Sequence, residues 1–160
     1  MSHFSEIIET ITVRCDLPAA SRKRALQLVA QLLADDLISE DLLFDSLMAR
    51  ERLGSTALGE GVALPHCRIK GATTRGALVS LPEPVNFEAG DSEPVDLLFV
   101  LIVSEEETTA HLEALSVLAR VFSVPQNRTC LRACSSDETL YSSFLAQLTQ
   151  QGQGPGALSA

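Results

Sequence analysis

The sequence predicts an α/β fold, a single layered domain in which helices flank a mixed central β-sheet. Residues 95–103 are nearly all apolar, which is typical of a strand covered on both faces. Segments with apolar residues at helical spacing precede and follow this strand. A covered strand between helices indicates a layered α/β domain rather than an open antiparallel sheet.

Length and composition indicate one ordinary globular domain. The chain has 160 residues, of which 46% are hydrophobic and 21% charged. This length is enough for one compact core and too short for two substantial domains. We therefore expect a domain at residues 1–149 and a flexible C-terminal tail at residues 150–160, where three glycines and a proline occur.

The first residues and the apolar runs give no sign of a membrane protein. Glu6 and Glu9 stand near the start, where a secretory signal would carry cations. No apolar run approaches the roughly 20 residues that cross a bilayer. We expect a cytoplasmic protein with no direct membrane insertion.

Charge and cysteine content exclude two further classes. The net charge of −9 argues against nucleic acid as a partner, because binding to phosphates depends on Lys and Arg. Cysteines 15, 67, 130 and 134 include no Cys-x2-Cys pair and match no zinc-site spacing. We interpret them as reduced thiols and expect no metal.

Residues 1–53 predict three helices and one strand. Apolar residues within 4–8 give a short helical turn, and residues 11–14 alternate like a strand. Ser21 and Ser39 are N-cap candidates for the next two helices. The basic residues 22–24 follow the first of these caps; a contact surface is possible there, but we interpret them as a solvated face.

The second half predicts two strands and three helices. Residues 77–81 should form a strand, and residues 82–94 a long loop with a short extended piece around residues 85–87, before the central strand. Ser104 is expected to cap the following helix, because three glutamates come directly after it. Residues 125–133 predict a short helix that opens on a proline, and Ser136 begins the last helix.

The segment 54–68 is the strongest candidate for a functional site. Three glycines lead into a short apolar run at residues 62–64. Pro65 cannot donate to a sheet ladder, so we expect the strand to stop there and to present His66 at its end. A histidine after proline is also common in turns and cores, and the spacing alone does not decide between the two interpretations.

Neither nucleotide-binding motif that the glycines resemble is complete. Gly54 and Gly59 have the opening spacing of a P-loop, but Glu60 stands where a lysine is required. Gly59 and Gly61 begin a dinucleotide fingerprint, but Leu64 replaces its third glycine. We reject both motifs.

A family resemblance is carried by residues before and around His66, namely Glu51, Leu58, Gly59, Val62, Ala63, Leu64, Pro65 and the small Cys67. This pattern resembles the phosphorylation-site motif of fructose/mannitol-type enzyme IIA proteins of the bacterial phosphotransferase system. Residues 50–56 are most similar to the nitrogen-regulatory branch. The resemblance extends over about residues 4–148 and departs from most members at Cys67, where they carry glycine.

The resemblance implies the layered IIA-type fold and a phosphocarrier function. His66 would accept a phosphoryl group from a histidine phosphocarrier protein of the HPr or NPr type. Transfer between histidines needs no nucleotide, metal or other cofactor of its own. The family also implies regulatory partners such as sensor kinases or potassium-transport components, which we expect to bind mainly the unphosphorylated form.

Five further residues are candidates around the phosphate. By resemblance, Arg50 faces the phosphorylated histidine and His111 lies beside it. Thr56 and the backbone of Gly59 and Gly61 are candidates for hydrogen bonds to the phosphoryl group. The sequence alone also permits plainer roles, because Arg50 suits the C-terminus of a helix and a histidine such as His111 is common on helix surfaces.

Three alternatives stay open. A sugar-specific IIA component would pass its phosphate to a IIB domain, but we expect no IIB or membrane segment in this chain, which favours the regulatory branch. A protein of another class would use His66, Cys67 and His111 as a metal or thiol site. In a pure binding module, His66 would be structural.

Overall fold

A computed structural model describes residues 3 to 151. The N-terminal elements are α1 (His3–Glu9), β1 (Thr12–Arg14), α2 (Arg22–Leu33), α3 (Glu40–Leu53), β2 (Ala57–Gly59) and β3 (Val62–Ala63). The remaining elements are β4 (His66–Ile69), β5 (Arg75–Val85), β6 (Val95–Ser104), α4 (Thr108–Ser123), α5 (Pro125–Arg132) and α6 (Asp137–Gln150). Most of the predicted tail lies outside the described residues.

The sheet is mixed and is centred on β6. Strand β5 pairs with one edge of β6 in antiparallel orientation, and β1 pairs with β5 in parallel. Along the other edge of β6, β3 pairs in parallel first and β4 pairs in parallel further on. Strand β2 completes the sheet by pairing antiparallel to β3. The predicted mixed sheet with flanking helices is confirmed.

Strand β6 separates two hydrophobic cores. Leu98, Val100 and Ile102 face the core formed with α2 and α3. Leu97, Phe99 and Leu101 face the other core, which contains side chains of α1, α4, α5 and α6. This alternation explains why residues 95–103 are apolar at almost every position.

Serine caps place three helices where the sequence predicts them. The Ser21 hydroxyl accepts from the Arg24 N–H at 3.0 Å, and the Ser39 hydroxyl accepts from Leu42 at 3.1 Å. Ser136 caps α6 in a reciprocal arrangement with Thr139. None of the helices within residues 3–151 is long and apolar enough to span a bilayer.

Two boundaries differ from the sequence-based prediction. Ser104 ends β6 instead of capping α4, because it pairs with Ile69 in the sheet. Helix α4 therefore begins only at Thr108, after a turn that contains the glutamates. Strand β5 also continues to Val85 through the segment predicted to be a loop. Its register shifts between Ser80 and Val85, and such an irregularity accommodates the prolines there.

Candidate functional site

His66 opens a strand, whereas the sequence analysis placed it at the end of one. Strand β3 ends at Ala63, and pairing with β6 resumes when His66 begins β4. Pro65 has no N–H, but its carbonyl accepts a hydrogen bond from the Leu101 N–H at 2.9 Å. The proline therefore interrupts the ladder for two residues and keeps the chain beside β6.

A backbone hydrogen bond fixes the His66 ring. Its Nδ1 lies 2.7 Å from the carbonyl oxygen of Leu64. A carbonyl only accepts, so in the neutral ring Nδ1 carries the proton and donates. The lone pair of the neutral imidazole is therefore on Nε2, which makes Nε2 the nucleophilic atom.

The surroundings of His66 favour this neutral form. Burial lowers its pKa below the ordinary value, and the nearby Arg50 guanidinium acts in the same direction. The hydrogen bond to Leu64 and the Glu51 carboxylate act in the opposite direction. The net lowering leaves the ring neutral at pH 7, as a nitrogen nucleophile requires.

His111 lies against the His66 ring. The two ring centroids are 5.3 Å apart, with an edge-to-face angle of 62°. His111 belongs to the first turns of α4, and its Nε2 is buried with no hydrogen-bond partner in the described part of the chain. Burial lowers the pKa of His111, and the charges of His66 and Arg68 lower it further. A buried nitrogen without a partner is uncommon in native proteins, and an acceptor oxygen in this groove would satisfy it.

Arg50 and the two histidines share an open groove of about 500 Å³. Its lining residues come from α3, β4 and α4, and they are Ser46, Ala49, Arg50, Leu53, His66, Cys67, Arg68 and His111. The Arg50 Nη1 donates to the Gly54 carbonyl at 2.8 Å, which holds the guanidinium at the end of α3. The groove thus combines a neutral nucleophile with cations suited to phosphate oxygens.

The other predicted site residues lie outside this groove. Thr56 is buried, and both its hydroxyl and its N–H donate to the Glu51 carboxylate. Gly59 and Gly61 have φ angles of +93° and +79°, respectively, and lie in or beside the turn between β2 and β3. Contact of these glycines with a phosphoryl group on His66 stays a prediction, and their positions give them a structural role in any case.

The turn at Gly61 is held by α5. The Arg132 Nη2 donates to the Glu60 carbonyl at 2.6 Å, and its Nε donates to Asp96 at 3.0 Å. A depression of about 510 Å³ lies over this turn and is lined by four carboxylate side chains besides Arg132. Such an acidic lining would repel phosphate, so the groove at His66 is the better candidate for phosphoryl chemistry.

We expect Gly61→Ala to destabilise the protein by about 1–3 kcal/mol. The φ angle of +79° strains any side chain, and an added Cβ would displace the Arg132 guanidinium from its hydrogen bonds to the Glu60 carbonyl and Asp96. Urea denaturation measures the effect. Gly90→Ala is the matched control, because no heavy atom lies within 4 Å of a Cβ added there. Equal free energies of unfolding for the two variants would contradict this account.

The sequence gives no sign that Glu51 is buried or that Arg22 pairs with it. In the sequence Glu51 stands out only as part of the family motif, whereas in the structure it is 3% exposed and its carboxylate accepts hydrogen bonds from Thr56. Arg22 was interpreted as a solvated residue, which is wrong. Its Nη1 lies 3.8 Å from the Glu51 carboxylate and 3.6 Å from that of Glu88. The hydrogen-bonded pair of Glu51 and Thr56 could not be predicted, because a spacing of five residues produces no helical or strand periodicity in the sequence.

Comparison with known proteins identifies the family. Residues 6–147 match the family described as "Phosphoenolpyruvate-dependent sugar phosphotransferase system, EIIA 2". The chain belongs to this family. A "Nitrogen regulatory protein" of Pseudomonas aeruginosa is 43% identical to this EIIA 2 protein over 129 residues, covering 79% of this chain and 84% of that protein. A "Nitrogen regulatory protein" of Klebsiella oxytoca is 38% identical over 140 residues, covering 86% of each.

A solved structure supports the same assignment. The crystal structure of nitrogen regulatory protein IIA-Ntr from Neisseria meningitidis superposes with a TM-score of 0.83 at 40% sequence identity. The match covers 87% of this EIIA 2 chain and 99% of that chain. The family resemblance inferred from the residues around His66 is confirmed, and so is the fold. The roles of individual site residues stay predictions.

Proposed function

We propose that this EIIA 2 protein is a regulatory phosphocarrier in which the His66 Nε2 accepts a phosphoryl group. The observation that carries the proposal is the position of the His66 ring, whose Nδ1 lies 2.7 Å from the Leu64 carbonyl oxygen and which lies against His111 in an open groove. The donor is a histidine phosphocarrier protein of the phosphotransferase system, of the HPr or NPr type. The exchange takes place in the cytoplasm.

The transfer requires one bond to form and one to break. The Nε2 lone pair of His66 forms a bond to phosphorus while the donor's nitrogen–phosphorus bond breaks, and that electron pair returns to the donor ring. Arg50 stabilises the charge on the phosphoryl oxygens, and the buried Nε2 of His111 donates to one of them. The Leu64 carbonyl keeps the proton on Nδ1 throughout.

The regulatory branch is favoured over a sugar-specific component. The relatives at 38% and 43% identity are both named nitrogen regulatory proteins, and they match most of this chain. The phosphorylation state of His66 then acts as the signal, because a phosphoryl group adds roughly two negative charges to the groove. Sensor kinases and potassium-transport components are the expected targets, and they bind mainly the unphosphorylated form.

A metal or thiol site is the weaker candidate. Among residues 3–151, no group of three or more His, Cys, Asp or Glu side chains is arranged to hold a metal ion. Cys67 does lie beside His66, but burial raises the pKa of its thiol to about 12. At neutral pH almost no thiolate exists to act as a nucleophile or ligand.

We expect Cys67→Gly to accept phosphate at nearly the wild-type rate. The thiol has no step in the transfer, so its loss should appear in stability instead. Cys67 is buried in β4, and glycine in a strand is about 0.5–1 kcal/mol less stable than alanine. Cys67→Ala separates the two effects, because it keeps the strand and removes only the thiol. Loss of phosphate uptake in both variants, with circular dichroism unchanged, would instead support a thiol mechanism.

Intact-mass measurement tests the proposed function. The protein is incubated with phosphoenolpyruvate, enzyme I and the histidine phosphocarrier. We expect quantitative addition of one phosphoryl group, which acid then removes, as it does from phosphohistidine. No mass change under these conditions would contradict the proposal.

A further inference from the structure

A buried carboxylate, that of Glu51, belongs to the same helix as Arg50 but does not line the groove at His66. The Glu51 side chain is 0% exposed, although the residue belongs to the amphipathic helix α3. Its carboxylate accepts hydrogen bonds from the hydroxyl and the N–H of Thr56. Burial of an ionised carboxylate is unfavourable unless it is paired and hydrogen-bonded, so the contacts of Glu51 with Thr56 and Arg22 are needed to keep it in place.

Backbone hydrogen bonds connect Glu51 to the His66 ring. The Thr56 carbonyl accepts from the Leu64 N–H at 3.1 Å. The Leu64 carbonyl then accepts from His66 Nδ1 at 2.7 Å. Glu51 therefore sets the position of Thr56, Thr56 sets the position of Leu64, and Leu64 fixes the tautomer of the histidine.

The charges around His66 are of both signs. The Arg50 guanidinium lowers the pKa of His66, and the charge of His66 in turn lowers the pKa of His111. Glu51 is the anionic group whose charge raises the pKa of His66. The Arg22 Nη1, 3.8 Å from Glu51, offsets part of that negative charge.

We propose that Glu51 is a positioning residue for phosphoryl acceptance, which fixes the His66 ring through Thr56 and Leu64 and stabilises the positive charge of the phosphorylated ring. The inference rests on the proposed function of His66 as acceptor. When Nε2 bonds to phosphorus while Nδ1 keeps its proton, the ring becomes a cation. A nearby carboxylate shielded from water stabilises that cation more strongly than an exposed one would.

Four variants separate positioning from general stability. Glu51→Gln keeps the size of the side chain and removes its charge. Thr56→Val removes one hydroxyl, and Thr56→Ser restores it. Ser55→Ala is the matched control. The Ser55 hydroxyl donates a hydrogen bond to the Phe87 carbonyl at 2.6 Å and takes no part in the hydrogen bonds that link Glu51 to His66.

The first readout is the rate of phosphate uptake from the phosphorylated carrier. We expect Glu51→Gln and Thr56→Val to lower this rate roughly 10-fold to 100-fold. By analogy, this is the range found when a residue that orients a metal-binding histidine through a hydrogen bond is replaced. Thr56→Ser should restore most of the rate. Ser55→Ala should reduce the free energy of unfolding while leaving the rate unchanged.

The second readout is nitrogen NMR of His66 in the unphosphorylated protein. Glu51→Gln should lower the pKa of His66 and raise the share of the tautomer protonated at Nε2. Arg22→Gln should shift the pKa in the opposite direction, because it removes the cation that offsets Glu51. A merely structural role for Glu51 would not produce shifts of opposite sign.

The outcomes distinguish this proposal from the proposed function. An unchanged rate and an unchanged His66 titration in Glu51→Gln would overturn the role of Glu51 while leaving His66 as acceptor. Equal rate losses in Ser55→Ala and Thr56→Val would also overturn it, by showing general destabilisation. If Glu51→Gln does not fold, the two Thr56 variants decide. No uptake by the wild-type protein would overturn the proposed function itself, and with it the role of Glu51 in acceptance.

Discussion

We expect His66→Ala to take up no phosphate from the phosphorylated carrier protein. Of His66 and His111, the two histidines whose side chains the structure describes, His66 is the one whose Nδ1 donates to a backbone carbonyl, which leaves Nε2 as the nucleophile in the groove. Alanine removes that atom and supplies nothing in its place. Intact-mass measurement after incubation with phosphoenolpyruvate, enzyme I and the carrier gives the result directly.

Two controls accompany this experiment. Circular dichroism should match that of the wild type, because His66 is only half-buried at the start of β4 and the backbone pairing with Leu101 does not need its side chain. His111→Ala should still reach full phosphorylation, but more slowly. If His66→Ala were phosphorylated to the wild-type extent, the acceptor would be another residue.

The second large effect concerns the residues around the phosphoryl group. We expect Arg50→Ala and His111→Ala each to slow transfer roughly 10²-fold to 10³-fold, the loss found when one preorganised hydrogen-bond donor is removed. Arg50 supplies positive charge at the end of α3, and His111 supplies a buried nitrogen beside the His66 ring. Rapid-quench measurement of the single phosphoryl transfer gives the rates.

Arg52→Ala is the matched control for charge. Arg52 occupies the same last turn of α3 as Arg50, but it is exposed and does not line the groove. Its loss changes the net charge by the same amount and should affect the rate only slightly. Equal rates for Arg50→Ala, Arg52→Ala and the wild type would show that Arg50 only stabilises the C-terminus of α3 and takes no part in transfer.

Features governed by local chemistry were predicted from the sequence. Ser21, Ser39 and Ser136 cap helices because their hydroxyls satisfy N–H groups three residues on, and that spacing is visible in the sequence. The central strand was predicted because both of its faces are buried, which leaves almost no polar positions. His66, Arg50 and His111 were predicted as site residues through the family resemblance, because the spacing alone favoured a structural histidine.

Features that depend on packing between distant segments were not predicted. Ser104 has the sequence of a helix cap, but pairing with Ile69 extends β6 through it. Arg22 and Glu51 lie 3.8 Å apart only because α2 packs on α3. Pro65 ends a ladder by its missing N–H, but its carbonyl bond to Leu101 depends on a strand further along the chain. Tertiary contacts therefore decided each of these positions against the local signal.

The burial of both faces of β6 keeps His66 oriented before the donor protein arrives. Its side chains enter both cores, so its backbone hydrogen bonds open only when both cores are lost. His66 pairs with Leu101 on this strand and therefore keeps its place through ordinary local fluctuations. A donor protein meets an acceptor nitrogen that is already oriented, so the loss of entropy on alignment comes almost entirely from the approach of the two proteins.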